Sequence, residues 1–114
     1  MTDTIFSKII AGQIPAPRVY EDDLCIVIND ISPQAPVHVL IIPKKPIVKL
    51  ADAEACDQAL LGHLMLVAGK VAAQLNVSEA FRLIVNNGSA AGQTVFHLHL
   101  HLLAGQTFAE GAMI

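Results

Sequence analysis

His97, His99 and His101 alternate with Leu98, Leu100 and Leu102 near the end of this chain. Side chains of an extended strand point alternately to its two faces, so this spacing predicts three imidazoles on one face, roughly 6–7 Å apart, with the leucines turned into the core. Imidazole titrates near pH 6.5, so one ring can be a neutral nucleophile while another donates a proton. A ring whose Nδ1–H is held by a carbonyl or carboxylate presents Nε2 as a directed lone pair. Three readings stay open on spacing alone: nucleophilic attack on phosphorus, a zinc site, or polar residues on a solvated strand. A stable metal site usually recruits a carboxylate or thiolate, and none adjoins the run in sequence. Three identical polar residues at strict alternation would be an odd way to meet a need for solubility alone.

The run is preceded by Asn86-Asn87-Gly88-Ser89-Ala90-Ala91-Gly92-Gln93-Thr94. Glycines let backbone N–H groups approach a phosphate closely. Gln93 supplies an amide and Thr94 a hydroxyl, both able to meet phosphate oxygens or a leaving group. Alone, Gly88 and Gly92 read as an ordinary turn; beside three histidines they read as a candidate oxyanion cradle.

The elements that must position these groups follow from periodicity and turn chemistry. Residues 4–11 set Ile5, Phe6, Ile9 and Ile10 on one side of a short helix ended by Gly12. Strands are expected at Val19-Tyr20, Leu24–Asn29, His38–Ile42, Phe81–Asn86 and Val95–Leu103, and the two prolines of Ser32-Pro33-Gln34-Ala35-Pro36 mark a loop. Residues 53–75 read as the main helix, with Asp52 as N-cap, Asn76 at its end, and an apolar face of Leu60, Leu61, Leu64, Ala68, Val71, Ala72 and Leu75. His63 falls off that face and reads as solvated or interfacial. The expected fold class is α+β: one domain over residues 1–114, a five-stranded antiparallel sheet, one long helix and one short.

With 114 residues and 54% hydrophobic composition, the chain carries more apolar side chain than one small core can bury, which predicts a homodimer. A net charge of −3, with no basic cluster beyond Lys44-Lys45, argues against a nucleic-acid partner. No apolar run approaches the roughly 20 residues of a membrane span, and Met1-Thr2-Asp3-Thr4 does not begin a signal peptide, so the expected location is cytoplasmic. Cys25 and Cys56 read as reduced core residues.

The run His97-Leu98-His99-Leu100-His101-Leu102-Leu103 resembles the signature of the histidine-triad superfamily. Asp3–Ile10, Ile14-Pro15, Tyr20–Asp23, Asp30–His38, Ile42–Lys45 and Gly92–Phe96 are similar to its nucleotide-binding (Hint) branch, so the likeness spans roughly residues 3–105. That resemblance implies homodimers with sheets joined across the interface. It implies hydrolysis of purine nucleoside phosphoramidates and aminoacyl adenylates to the monophosphate, without cofactor or metal. By motif it makes His99 the nucleophile, with His97 orienting it through a main-chain carbonyl, His101 bonding the α-phosphate, and His38 a fourth supporting histidine. It sets Asn86, Gly92, Gln93 and Thr94 at the phosphate, Thr94 standing where serine is usual. It sets Asp30 at the ribose, and Ile5, Phe6, Ile9, Ile28 and Ile31 around the base. Ile28 stands where the branch often has an aromatic ring, Pro46 replaces a common histidine, and the tail from Gln106 to Ile114 lacks the Trp-Pro-Pro ending of many relatives. A dinucleoside polyphosphate hydrolase and a nucleotide-binding interaction module are the alternatives.

Overall fold

The computed structural model describes residues 3–111; Met1, Thr2 and the last three residues of the tail lie outside the described residues. The first helix, α1 (Ile5–Ile10), starts from a reciprocal cap in which Ser7 N–H donates to Thr4 Oγ1 (3.1 Å) and Thr4 N–H donates to Ser7 Oγ (2.8 Å). It buries Phe6 and Ile9.

Five strands follow: β1 (Tyr20–Glu21), β2 (Cys25–Asn29), β3 (Val37–Pro43), β4 (Phe81–Ile84) and β5 (Leu100–Ala104). They form one antiparallel sheet in the order β1-β2-β3-β5-β4. The pleat sorts the strand residues into two faces. Cys25, Val27, Val39, Ile41, Leu100, Leu102 and Ala104 pack under the long helix α2 (Gln58–Gln74), meeting Leu64, Val67, Ala68, Val71 and Ala72. On the opposite face Ile26, Ile28, Leu40 and Ile42 pack against Phe6 and Ile9. A helix of six residues covers only the β2–β3 half of that face. His38 and His101 occupy same-face positions on β3 and β5 beyond it. The architecture is the expected α+β one.

Several local expectations change. The helix α2 starts at Gln58 rather than Ala53, because Ala53 is extended (φ −67°, ψ 145°) between short 3-10 turns at Leu50–Asp52 and Ala55–Asp57. Asp52 belongs to the first turn, and Asp57 holds the N-cap position of α2. Asp57 accepts from Glu54 N–H (2.9 Å) and pairs with the Lys45 ammonium. At the far end Asn76 has φ +61°, a left-handed conformation that asparagine tolerates and that stops a helix. Cys25 is buried as expected, but Cys56 is exposed. No helix among the described residues is long and apolar enough to cross a membrane.

His63 is neither free in solvent nor part of the site. Its Nε2 donates to Asp22 Oδ2 (2.6 Å), which also accepts from Tyr20 Oη (2.9 Å), while Asp22 Oδ1 accepts the N–H groups of Leu24 (2.8 Å) and Cys25 (3.0 Å). One carboxylate thereby ties the β1–β2 turn to α2. Burial works against its charge, but these hydrogen bonds outweigh burial and hold Asp22 well below the usual carboxylate range. Asp22→Ala is expected to cost about 2–3 kcal/mol in urea unfolding at pH 7. A group with a depressed folded pKa contributes fully above its unfolded pKa, so the gap from wild type should close as pH falls below about 4.

Candidate active site

The histidine run is not one strand. β5 begins at Leu100, so only His101 sits on the ladder, and His97 and His99 lie on an irregular lead-in. The partner strand supplies the reason. Ile41 pairs with Leu100, and continuing that register would set Leu98 opposite Pro43, which has no N–H to give. Individual bonds replace the ladder. Leu98 N–H donates to Ile47 O (2.6 Å), His97 Nε2–H donates to Pro43 O (2.7 Å), and His99 Nδ1–H donates to His97 O (2.8 Å). Carbonyls only accept, so Nδ1 of His99 carries the hydrogen and Nε2 keeps its lone pair.

The rings still gather, closer than strand spacing implies. Those of His99 and His101 lie 5.0 Å apart between centroids, and Phe6 meets His99 edge-on at 5.0 Å and 81°. His101 Nδ1 lies 2.9 Å from His38 Nε2, which is 3.4 Å from Asp30 Oδ2; His38 Nδ1 accepts the Gln34 N–H (3.0 Å). Burial pushes His97 and His99 below the ordinary imidazole value. Burial, with the neighbouring His99 and His38, takes His101 down to about 4. In all three rings the shift favours the uncharged form.

His99 and His101 open onto a cavity of about 470 Å³. Ile5, Phe6, Ile9, Ile28 and Leu40 form its apolar side, and Asp30, Ile31, His38, Thr94 and Val95 also line it. Asn86 lines a smaller hollow of about 60 Å³ beside His38 and His101. Gly92, at φ +95°, stands so near Asn86 that a Cβ would lie 3.7 Å from its Nδ2. The structure therefore brings most of the expected residues together. His97 does not line the cavity; its carbonyl accepts the His99 Nδ1–H. Ile31 is 94% exposed and only borders it. Asn29, Ser32, Gln34, Leu40 and Val95 line it without having been singled out, for no sequence pattern marks a residue as cavity wall.

Gln93 departs from expectation. Its side chain is buried, with Oε1 accepting Gly88 N–H (2.8 Å) and Nε2 donating to Val48 O (2.8 Å) and Val95 O (3.0 Å). The amide is fully engaged in bracing the loop and has no donor left for phosphate. Gln93→Ala should lower stability by about 2–4 kcal/mol in urea unfolding, since main-chain groups are left unpaired.

Among the described residues, two groups have cation-ligand chemistry: Asp30, His38 and His101, and Asp22, Cys25 and His63. Asp30 is the carboxylate that sequence alone could not set beside the histidines, because it arrives from the loop after β2. In the first group His38 Nε2 contacts both His101 Nδ1 and Asp30 Oδ2, and in the second His63 Nε2 bonds Asp22 Oδ2.

A family model described as HIT domain matches residues 11–108. An uncharacterized HIT-like protein of Synechocystis sp. is 62% identical over 107 residues, 94% of each chain. The crystal structure of a HIT family hydrolase from Legionella pneumophila superposes with a TM-score of 0.93 at 43% identity, covering 96% of this chain and 98% of that one. A histidine triad nucleotide-binding protein from Candida albicans gives 0.80 at 31% identity, covering 97% and 87%.

Proposed function

The chain belongs to the HIT domain family, and on that premise we propose that it hydrolyses purine nucleoside 5′-phosphoramidates and aminoacyl adenylates to the monophosphate through a nucleotidyl-His99 intermediate. The observation carrying this reading is the Nδ1–H bond from His99 to the His97 carbonyl, which leaves a neutral Nε2 lone pair on a ring lining the cavity. Neutral Nε2 attacks the α-phosphorus. With a phosphoramidate the P–N bond breaks and the amine leaves with a proton relayed from solvent water through the Thr94 hydroxyl. With an aminoacyl adenylate the P–O bond breaks and the amino acid leaves as its carboxylate. His101 meets the charge growing on the phosphate oxygens. Water then attacks phosphorus, frees His99 and yields the monophosphate. The base lies against Phe6, Ile9 and Ile28, and Asp30 takes the ribose hydroxyls.

The charge of the lining favours this reading over polyphosphate hydrolysis. Neither the main cavity nor the hollow beside it has a Lys or Arg in its lining, and Asp30 adds a negative charge. Such a site suits one singly charged phosphate with an uncharged or cationic leaving group. The test is to mix the protein with an adenosine phosphoramidate or a diadenosine polyphosphate and follow both turnover and mass. Adenylylated His99 with faster phosphoramidate turnover is expected; preference for the polyphosphate overturns the assignment, and binding without turnover makes the protein an interaction module. Turnover in chelator separates the nucleophilic from the metal reading.

Burial sets the pH dependence. His99 titrates below its ordinary value, so the nucleophile stays neutral through the neutral range. We expect kcat/KM to be flat from about pH 7 to 8 and to fall on the acid side, below the ordinary imidazole pKa of about 6.5, where the ring gains a proton.

The protein acts as a homodimer. Gly62, Met65, Leu66, Gly69 and Ala73 recur at helical spacing on the outer side of α2, with Met65 58% and Leu66 70% exposed, and Lys70 is the one charge among the exposed positions of that helix. Pairing this face through a second copy buries it. A single-chain mass in sedimentation equilibrium would remove this part of the reading.

A further inference from the structure

We propose that the main-chain N–H of Gln34 is a positioning group that fixes the tautomer of His38 and, through it, makes His101 a dedicated hydrogen-bond donor to the substrate phosphate. The phosphate contact rests on the function proposed above; the tautomer chain stands on geometry alone. Gln34 N–H can only donate, so at 3.0 Å it requires a bare lone pair on His38 Nδ1. A neutral imidazole with a bare Nδ1 carries its hydrogen on Nε2. The surroundings of Nε2 agree independently, since two acceptors face it: His101 Nδ1 at 2.9 Å and Asp30 Oδ2 at 3.4 Å. His101 must then be bare at Nδ1 and protonated at Nε2. A proton added to His101 Nδ1 would confront the His38 N–H directly, so the same bond disfavours an imidazolium at His101.

The loop holds the amide in place. Asp30 N–H donates to His38 O (3.0 Å), Ser32 N–H donates to Asp30 Oδ1 (2.7 Å), and Gln34 Nε2 donates to Ser32 O (3.2 Å), with Pro33 and Pro36 stiffening the same stretch. Three main-chain groups thus set the ring polarities: Pro43 O for His97, His97 O for His99, and Gln34 N–H for His38 and His101. His99 and His101 are left as opposite tautomers 5.0 Å apart, one with a lone pair at Nε2 and the other with an N–H there. A phosphate between them meets a nucleophile and a donor. Freed from Gln34, His38 could move its hydrogen to Nδ1 and turn a lone pair to His101. His101 would then take its hydrogen at Nδ1 and offer the phosphate a second lone pair.

Imidazole 15N correlation spectra of the free wild-type protein at neutral pH test this directly. Expected are His38 and His101 protonated at Nε2 and His99 at Nδ1; a hydrogen on Nδ1 of either His38 or His101 overturns the proposal. Gln34→Ala keeps the N–H and should keep the wild-type tautomers. Gln34→Pro removes it and should mix the His38 and His101 tautomers, with kcat falling roughly 10- to 100-fold while KM changes little. Unchanged tautomers in Gln34→Pro overturn the proposal, and if that variant does not fold the wild-type spectrum decides. The expected tautomers in a wild type that turns over no phosphoramidate would sink the proposed activity and leave the tautomer chain standing.

Discussion

His99→Ala is expected to lose on the order of 10⁴-fold or more in phosphoramidate turnover and to form no covalent nucleotide adduct. The size follows from what the ring supplies. Without Nε2 the two-step route closes, and water must attack phosphorus directly in a cavity with no positive side chain in its lining to assist. His99→Ala also opens space beside Phe6, so its fold should be checked by thermal unfolding before rates are compared. Near-normal turnover in a folded His99→Ala protein would end the proposed mechanism.

His101→Ala should slow kcat by about 10²- to 10³-fold while leaving KM within a few-fold, the loss associated with one donor aimed at developing phosphate charge. This variant keeps His99 and its bond to the His97 carbonyl, so an adduct should still form on His99, slowly. That separates the two rings by experiment: one loses the intermediate, the other only its rate of formation. A raised KM with unchanged kcat would show that His101 binds the ground state and does nothing further.

The histidine motif names its ring positions, and the strands and helices follow from periodicity to within a few residues. The loop Asp30–Pro36 could be recognised from its prolines, but not the direction of one amide within it, because hydrogen-bond geometry depends on where β2 ends and β3 begins. Gln93 misleads for a related reason. An amide beside a glycine-containing loop looks free to meet a ligand, and only tertiary structure shows that Gly88, Val48 and Val95 use both its ends. Val67 was absent from the expected helix face although it is fully buried, because the sheet wraps more of α2 than a narrow stripe predicts. The Asp22–His63 bond spans 41 residues and has no local signature at all.

Inside the sheet, β5 is flanked on both sides by β3 and β4, and a carbonyl there would be consumed by a neighbouring strand. The His97 carbonyl is spared because its segment lies before the start of β5 and outside the ladder. The break in the strand thereby leaves this carbonyl as the acceptor to which His99 Nδ1–H donates. Extending β5 through His97 would return that carbonyl to the sheet and deprive His99 Nδ1–H of its acceptor.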